Sequence, residues 1–366
     1  MIKLPFREQL PLKLREIYEK YGYKQYRMDK FEPYDMYREN KNFLKNEGII
    51  TFTDPSGRLM ALKPDVTMSI IKNSADSDAT RKLYYNENVF RLLPGRNEFC
   101  EINQMGLEFI GGDNSYAQAE VILLAMRSLE AINEEYRLNV AHMGYIAALM
   151  DFAGIQNGDR AECIALMRQK NLHGLGEFMQ KTGVDPDKAE AVKAVMSVTG
   201  SIKKAVGKLS DYVFSDAMQA AVSELQDLTD TLSFTGCDGK LQLDFSVIND
   251  PDYYNGIVFQ GYLPNIPRAV LSGGRYDNLM RRFGKQRNAI GFALYLGELE
   301  RFFSEPEEYD ADLLLIYGNM PAKIALKVVE MLKPEYENIR AERSIPEGIR
   351  ARKIMNISEV GDIRHA

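Results

Sequence analysis

Four segments concentrate the side chains that could do chemistry: LKPDVT (62–67), VFRLLPGRNEFCEINQMGLE (89–108), DYYNGIVF (252–259) and SGGRYDNLMRRFG (272–284) with AIGFALYLGEL (289–299). They supply Asp65, Thr67, Gln104, Glu108, Tyr253 and Tyr254, all acceptors or hydroxyls. Such a set suits a small cationic or zwitterionic ligand. An α-ammonium wants a carboxylate, a hydroxyl and an amide oxygen, and an imidazole wants a carboxylate or phenol at its ring nitrogens. Each residue also has a plainer reading. Glu108, between Leu107 and Phe109, reads alone as a strand residue facing water, because charged residues are rarely buried unpaired. Gly273-Gly274 reads as a tight turn or bulge. Tyr253 and Tyr254 read as alternating across a strand, one of them in the core. Arg91 and Arg96 read as solvated.

Those residues need elements to hold them. Residues 7–21 place Leu10, Leu12, Leu14, Ile17 and Tyr18 on a broad helical face, and Gly22 ends that helix. Tyr23–Arg27 reads as a strand that stops near Pro33. Ile49–Phe52 and Leu59–Leu62 read as a hairpin, joined by the turn-forming Asp54-Pro55-Ser56-Gly57. Thr67–Lys72 should open a helix. Lys82–Phe90 and Cys100–Ile110 alternate as two longer strands, linked through Leu93-Pro94-Gly95-Arg96, and Ala117–Ile132 is an amphipathic helix. Strand patterns vanish over 155–232, which reads as a helical insertion. They return at Leu241–Ile248, Ile257–Tyr262 and Ala269–Ser272. Asn288–Phe303 reads as a strand running into a helix, and 304–308 as a linker. The tail opens with a strand, Asp312–Tyr317, and a helix, Ala322–Leu332, and reads as a small α/β unit cut short there. Strands joined by short turns favour an α+β fold, an antiparallel sheet flanked by helices. The expected domains are a core of 1–154 and 233–303, the insertion 155–232, and a truncated α/β segment 310–366.

The 366 residues carry 46 Lys and Arg against 52 Asp and Glu, a balance of −6, which excludes a polybasic binder resting on counterion release. Cys100, Cys163 and Cys237 lie far apart, and only His142, His173 and His365 accompany them, so neither a disulfide framework nor a zinc cluster is legible. No GxGxxG or GxxxxGKS occurs. Neither a cofactor nor a metal is expected. The charged N-terminal stretch lacks the apolar region of a signal peptide, and no 18-residue apolar run exists. The expected location is the cytoplasm.

In order and spacing, these segments resemble the catalytic core of histidyl-tRNA synthetase, a class II aminoacyl-tRNA synthetase, over residues 1 to about 303. LKPDVT resembles the family's LRPEGT, SGGRYDNL its AGGRYDGL, DYYNGIVF the strand with its histidine-specific tyrosines, and AIGFALYLGEL its motif 3. Motif 1 would lie at Gly22–Pro33 and motif 2 at Leu83–Glu108. By that resemblance Asp65 and Thr67 would hold an α-ammonium with help from Gln104. Glu108 and Tyr254 would face an imidazole beside Tyr253, with Arg91 and Tyr276 as further pocket residues.

The departures bear on catalysis. The family's arginine before the first tyrosine is Asn249 here. The motif 3 arginine aligns with Glu298, although Arg301 lies one turn on. Leu93 replaces the motif 2 glutamate, and the motif 2 loop is short. Adenylate formation rests on electrostatic stabilisation of phosphoryl charge, and one catalytic arginine is worth roughly 10³-fold or more in such chemistry. No catalytic residue is therefore expected. Retained histidine binding with lost adenylation resembles the regulatory-subunit family of ATP phosphoribosyltransferase, paralogs of the synthetase. That resemblance implies a short-form catalytic subunit as partner, L-histidine as effector, a homodimer within a hetero-oligomer, and no tRNA or membrane partner. A truncated synthetase and a pseudo-synthetase sensor for another partner are the alternatives.

Overall fold

The computed structural model describes residues 5–39, 48–74, 79–92, 98–236, 239–248, 253–303 and 309–360. Leu93, Pro94, Arg96 and Asn249, which carried sequence expectations, lie outside them, as does the side chain of Arg301. Met1–Phe303 form one compact unit and Ser304–Ala366 a second.

The first unit opens with α1 (Phe6–Lys20), β1 (Lys24–Gln25), β2 (Phe31–Pro33), α2 (Asp35–Glu39), β3 (Thr51–Thr53), β4 (Leu59–Leu62) and α3 (Val66–Asn73). Two long strands follow, β5 (Arg81–Leu92) and β6 (Phe99–Ile110), then α4 (Asn114–Glu130), β7 (Arg137–His142) and α5 (Met143–Ala153). Next come α6 (Arg160–Arg168), α7 (Leu172–Lys181), α8 (Pro186–Met196), β8 (Gly200–Ser201), α9 (Ile202–Leu209) and α10 (Asp216–Leu232). The unit closes with β9 (Leu241–Leu243), β10 (Ile257–Tyr262), β11 (Leu271–Arg275), α11 (Asp277–Arg282), β12 (Ala289–Tyr295) and α12 (Leu296–Phe303).

Nine strands make the main sheet, in the order β1-β5-β6-β12-β11-β10-β7-β9-β8. The ladder from β5 to β7 is antiparallel, as expected, and β1 and β9 join it in parallel. Period-two alternation gives the sheet two faces. Met105, Leu107 and Phe109 of β6 enter a large apolar core with Tyr84, Phe292 and the inner faces of α1, α4, α5 and α10. Gln104, Gly106 and Glu108 point the other way. There a smaller core, including Val66, Ile70, Tyr85, Tyr276, Leu279 and Met280, covers the sheet with α3 and α11.

Local chemistry fixes the helix starts near the site. Asp65 Oδ1 accepts from Met68 N at 2.8 Å and caps α3, and Asp113 caps α4 through Tyr116 N at 3.0 Å. The turn joining β3 to β4 closes as its residues dictate. Asp54 Oδ1 accepts from Ser56 N and Arg58 N at 2.9 Å, and Gly57 takes a φ of +81°.

Four expectations about the elements need correction. The strand expected over Leu241–Ile248 ends as β9 at Leu243, because Asp244 accepts from Ser246 N and opens a short helical turn over Phe245–Val247. Tyr253 and Tyr254 do not alternate along a strand; they sit in the turn before β10, because the ladder begins only at Ile257. The strand expected over Tyr23–Arg27 shortens to β1, which pairs with β5 through two residues alone. The tail does not stop at a strand and a helix. After β13 (Ala311–Ile316) and α13 (Ala322–Leu332) come β14 (Ile339–Glu342) and β15 (Ala351–Asn356), giving a parallel sheet in the order β14-β13-β15. Both added strands carry charged side chains, as flanking strands commonly do, and that masked their apolar alternation.

Candidate functional site: an acidic and phenolic pocket on the sheet

Glu108 is the centre of the site. It lies on β6, paired in register with Gly291 of β12 and Leu83 of β5, and is 1% exposed. The reading of Glu108 as a solvated strand residue is thereby overturned. Thr67 Oγ1 donates to its Oε1 at 2.7 Å, and the Tyr276 hydroxyl donates to its Oε2 at 2.6 Å. Both hydrogen bonds favour the carboxylate form, but burial outweighs them and nearby Asp65 adds repulsion, so the Glu108 carboxyl is pushed up to about 8. Below about pH 8 the carboxylic acid form is thus favoured, and a cation placed beside Glu108 would favour the carboxylate.

Around it stand the other acceptors. Asp65, half-buried, is raised by burial, against which its bond from Met68 N and then the charge of Arg91 act. Tyr253 lies with its ring centroid 4.6 Å from Tyr254 and 6.3 Å from Tyr276, and its hydroxyl interacts with Thr67. Burial raises all three phenols well above their ordinary value, so they remain neutral donors. Both Tyr253 and Tyr254 are half-buried, so neither is the fully buried core residue that was expected. Gln104 is 6% exposed, opposite Glu87 and Tyr295 in the ladder. Arg91 shares the Glu108 face at the far end of β5. Lys63, fully buried, pairs with Glu87 at 2.9 Å.

The glycine pair of SGGRYD lies within β11, not in a turn. A Cβ at Gly274 would sit 2.7 Å from Tyr254 Cδ1, and one at Gly291 would sit 1.8 Å from Glu108 Oε2. Glycine at these places lets the sheet surface recede and leaves room for the tyrosine and the carboxylate.

The structure brings Asp65, Thr67, Glu108, Tyr253, Tyr254 and Tyr276 together. Sequence reasoning missed Tyr85 and Tyr295. Tyr85 is buried on the same face, and its hydroxyl donates to Phe292 O at 3.5 Å. Its signal was the odd-number alternation that also places Arg91. Among the described residues no cluster of three or more His, Cys, Asp or Glu could hold a metal ion, and no helix is long and apolar enough to cross a membrane.

Glu108 also sets a pH dependence. Its folded-state value lies above its unfolded one, so the folded chain holds the extra proton between about 4.5 and 8. The stability this contributes is complete below about 4.5 and is lost as pH rises through 8. In thermal denaturation without ligand, the melting temperature of the unsubstituted chain minus that of Glu108→Gln should fall steadily from pH 5 to pH 8.5. A difference that stays flat, or rises, would contradict a buried neutral carboxyl.

The mixed, mostly antiparallel sheet flanked by helices is a class II aminoacyl-tRNA synthetase-like core. The histidyl-tRNA synthetase family model matches residues 4–299, and the chain belongs to that family. Within it, the chain is similar to several curated proteins named ATP phosphoribosyltransferase regulatory subunit. The one from Oceanobacillus iheyensis is 27% identical over 320 residues, covering 86% of this chain and 78% of its own. Among solved structures, an ATP phosphoribosyltransferase regulatory subunit/histidyl-tRNA synthetase from Bacillus halodurans aligns with TM-score 0.79 at 20% identity, over 97% of this chain and 96% of that one. A chain of the ATP phosphoribosyl transferase (HisG:HisZ) complex from Thermotoga maritima aligns with TM-score 0.63 at 17% identity, over 80% and 97%. At these identities the structures support the shared fold.

Proposed function

We propose that the chain is a cytoplasmic, non-catalytic regulatory subunit of an ATP phosphoribosyltransferase, binding free L-histidine and governing a short-form catalytic subunit. The observation that carries the ligand is Glu108, buried between the hydroxyls of Thr67 and Tyr276 with Asp65 beside it. An imidazole or imidazolium answers that acid, and the α-ammonium answers Asp65 and Thr67. The names of the curated relatives support the partner. The substitutions at the adenylation positions support the absence of catalysis: Glu298, half-buried in the first turn of α12, stands where the family has an arginine to the triphosphate. An anion there repels phosphate.

Calorimetry should show histidine binding. Histidine-dependent ATP–pyrophosphate exchange should stay at background, and exchange at a rate typical of synthetases would restore the catalytic reading.

The chain also forms a homodimer in this proposal, through the motif 1 region that β1 and β2 occupy. The exposed Phe31, whose ring lies 5.2 Å from that of Phe52, supports an apolar contact there. Light scattering at micromolar concentration should exceed the 41.7 kDa of one chain; a clean monomer would contradict this.

A further inference from the structure

One buried carboxylate ties together the backbone segments that carry the pocket's phenols. Asp277, 2% exposed, opens α11 immediately after Tyr276. Its Oδ1 accepts from Ala289 N at 2.9 Å, which fixes the start of β12. Its Oδ2 accepts from Arg275 Nε at 2.6 Å and from Asn255 Nδ2 at 3.2 Å. Asn255 directly follows Tyr253 and Tyr254, and its own N–H donates to Arg275 O at 3.1 Å. Tyr276 N donates to Ala289 O at 2.9 Å. The backbone segments that carry the three phenols around Glu108 are therefore tied together by a carboxylate that bonds none of their hydroxyls.

The anchor extends outward. Arg275 Nη1 lies 3.6 Å from Glu224 Oε2, and Glu224 belongs to α10. Glu224 also meets His142 Nε2 at 3.1 Å and Gln118 Nε2 at 3.5 Å. His142 Nδ1 accepts from Tyr145 N at 3.2 Å as the cap of α5, so Nε2 carries the hydrogen and donates to Glu224. Glu224 is 40% exposed at its side chain, whereas Arg275 is 15% and Asp277 3%. The series runs from the solvent edge of α10 to the pocket through charged groups in contact.

We propose that Asp277 and, through Arg275, Glu224 are positioning residues for the histidine pocket, so that α10 sets the affinity of a ligand it does not touch. The inference rests on the histidine reading above. Removing the charge of Glu224 takes away the anchor at the Nη1 end of Arg275, so the guanidinium pivots about its bond to Asp277, and the turn holding Tyr253 and Tyr254 then loosens together with Tyr276. Charge-assisted contacts of this kind are those worth coupling between sites.

The test uses the full chain with Glu224→Gln, which keeps shape and hydrogen bonding, and Asp277→Asn. Calorimetry of L-histidine should show Glu224→Gln weakening binding about tenfold, within the usual range of such coupling. Combined with Tyr276→Phe, it should add less than it does alone, because part of its effect runs through Tyr276. The second readout needs no ligand: amide hydrogen exchange, followed by mass spectrometry, should quicken over 253–257 and 275–290 in Glu224→Gln. Melting temperature should hardly move in that variant, whereas Asp277→Asn, being buried, also loses stability. Unchanged exchange in those peptides, or full additivity with Tyr276→Phe, would overturn the proposal. Absence of histidine binding by the unsubstituted chain, with exchange still quickened by Glu224→Gln, would instead overturn the histidine reading and leave the positioning network standing.

Discussion

Glu108→Ala should weaken histidine binding by about 1–3 kcal/mol, the range for removing a charged hydrogen-bond partner, or roughly 5- to 150-fold in Kd. The loss has two sources. The ligand's imidazole loses the acid that would share a proton with it. The hydroxyls of Thr67 and Tyr276, both now donating to Glu108, lose their acceptor inside a buried pocket. Glu108→Gln separates the two, since it keeps an acceptor and the volume while removing the charge. It should fall between the alanine variant and the unsubstituted chain. Calorimetric titration, on the chain alone and with its catalytic partner, measures all three. A change within about 0.5 kcal/mol for the alanine variant, the size expected of a surface substitution, would remove Glu108 from the site.

Part of this was legible in the sequence for a physical reason. The residues that carry the pocket are acceptors placed where strand periodicity or a helix cap fixes their direction. Asp65 precedes a helix it caps, and Gln104 and Glu108 sit four apart on one strand, hence on one face. The antiparallel ladder was legible from alternation in 82–110 and from short turns. What failed had other causes. Tyr253 and Tyr254 look like strand residues by composition, but the register of β10 against β7 starts beyond them. Tyr85 and Tyr295 alternate onto the Glu108 face, but aromatic residues in alternating strands are a pattern shared by every core position, so that signal did not separate pocket from core. The roles of Asp277 and Arg275 depend on contacts with residues 12 or more positions away, such as Ala289, Asn255 and Glu224, which no local pattern encodes. β14 and β15 were missed because exposed charges hide the period of a flanking strand.

Reconstitution with the catalytic subunit decides whether this chain governs a transferase through histidine. ATP phosphoribosyltransferase activity would be measured for the catalytic chain alone, with this chain, and with this chain plus L-histidine. Control by a second chain requires that histidine favour one state of the complex over another, because a ligand with equal affinity for both shifts nothing. Adding the chain should raise activity by about an order of magnitude or more, a coupling of the size usual between sites. Histidine should then suppress that activity, and Glu108→Ala should move the suppression to higher histidine without abolishing the activation. Activity indifferent to the chain, or histidine suppression identical in the Glu108→Ala complex, would contradict that control.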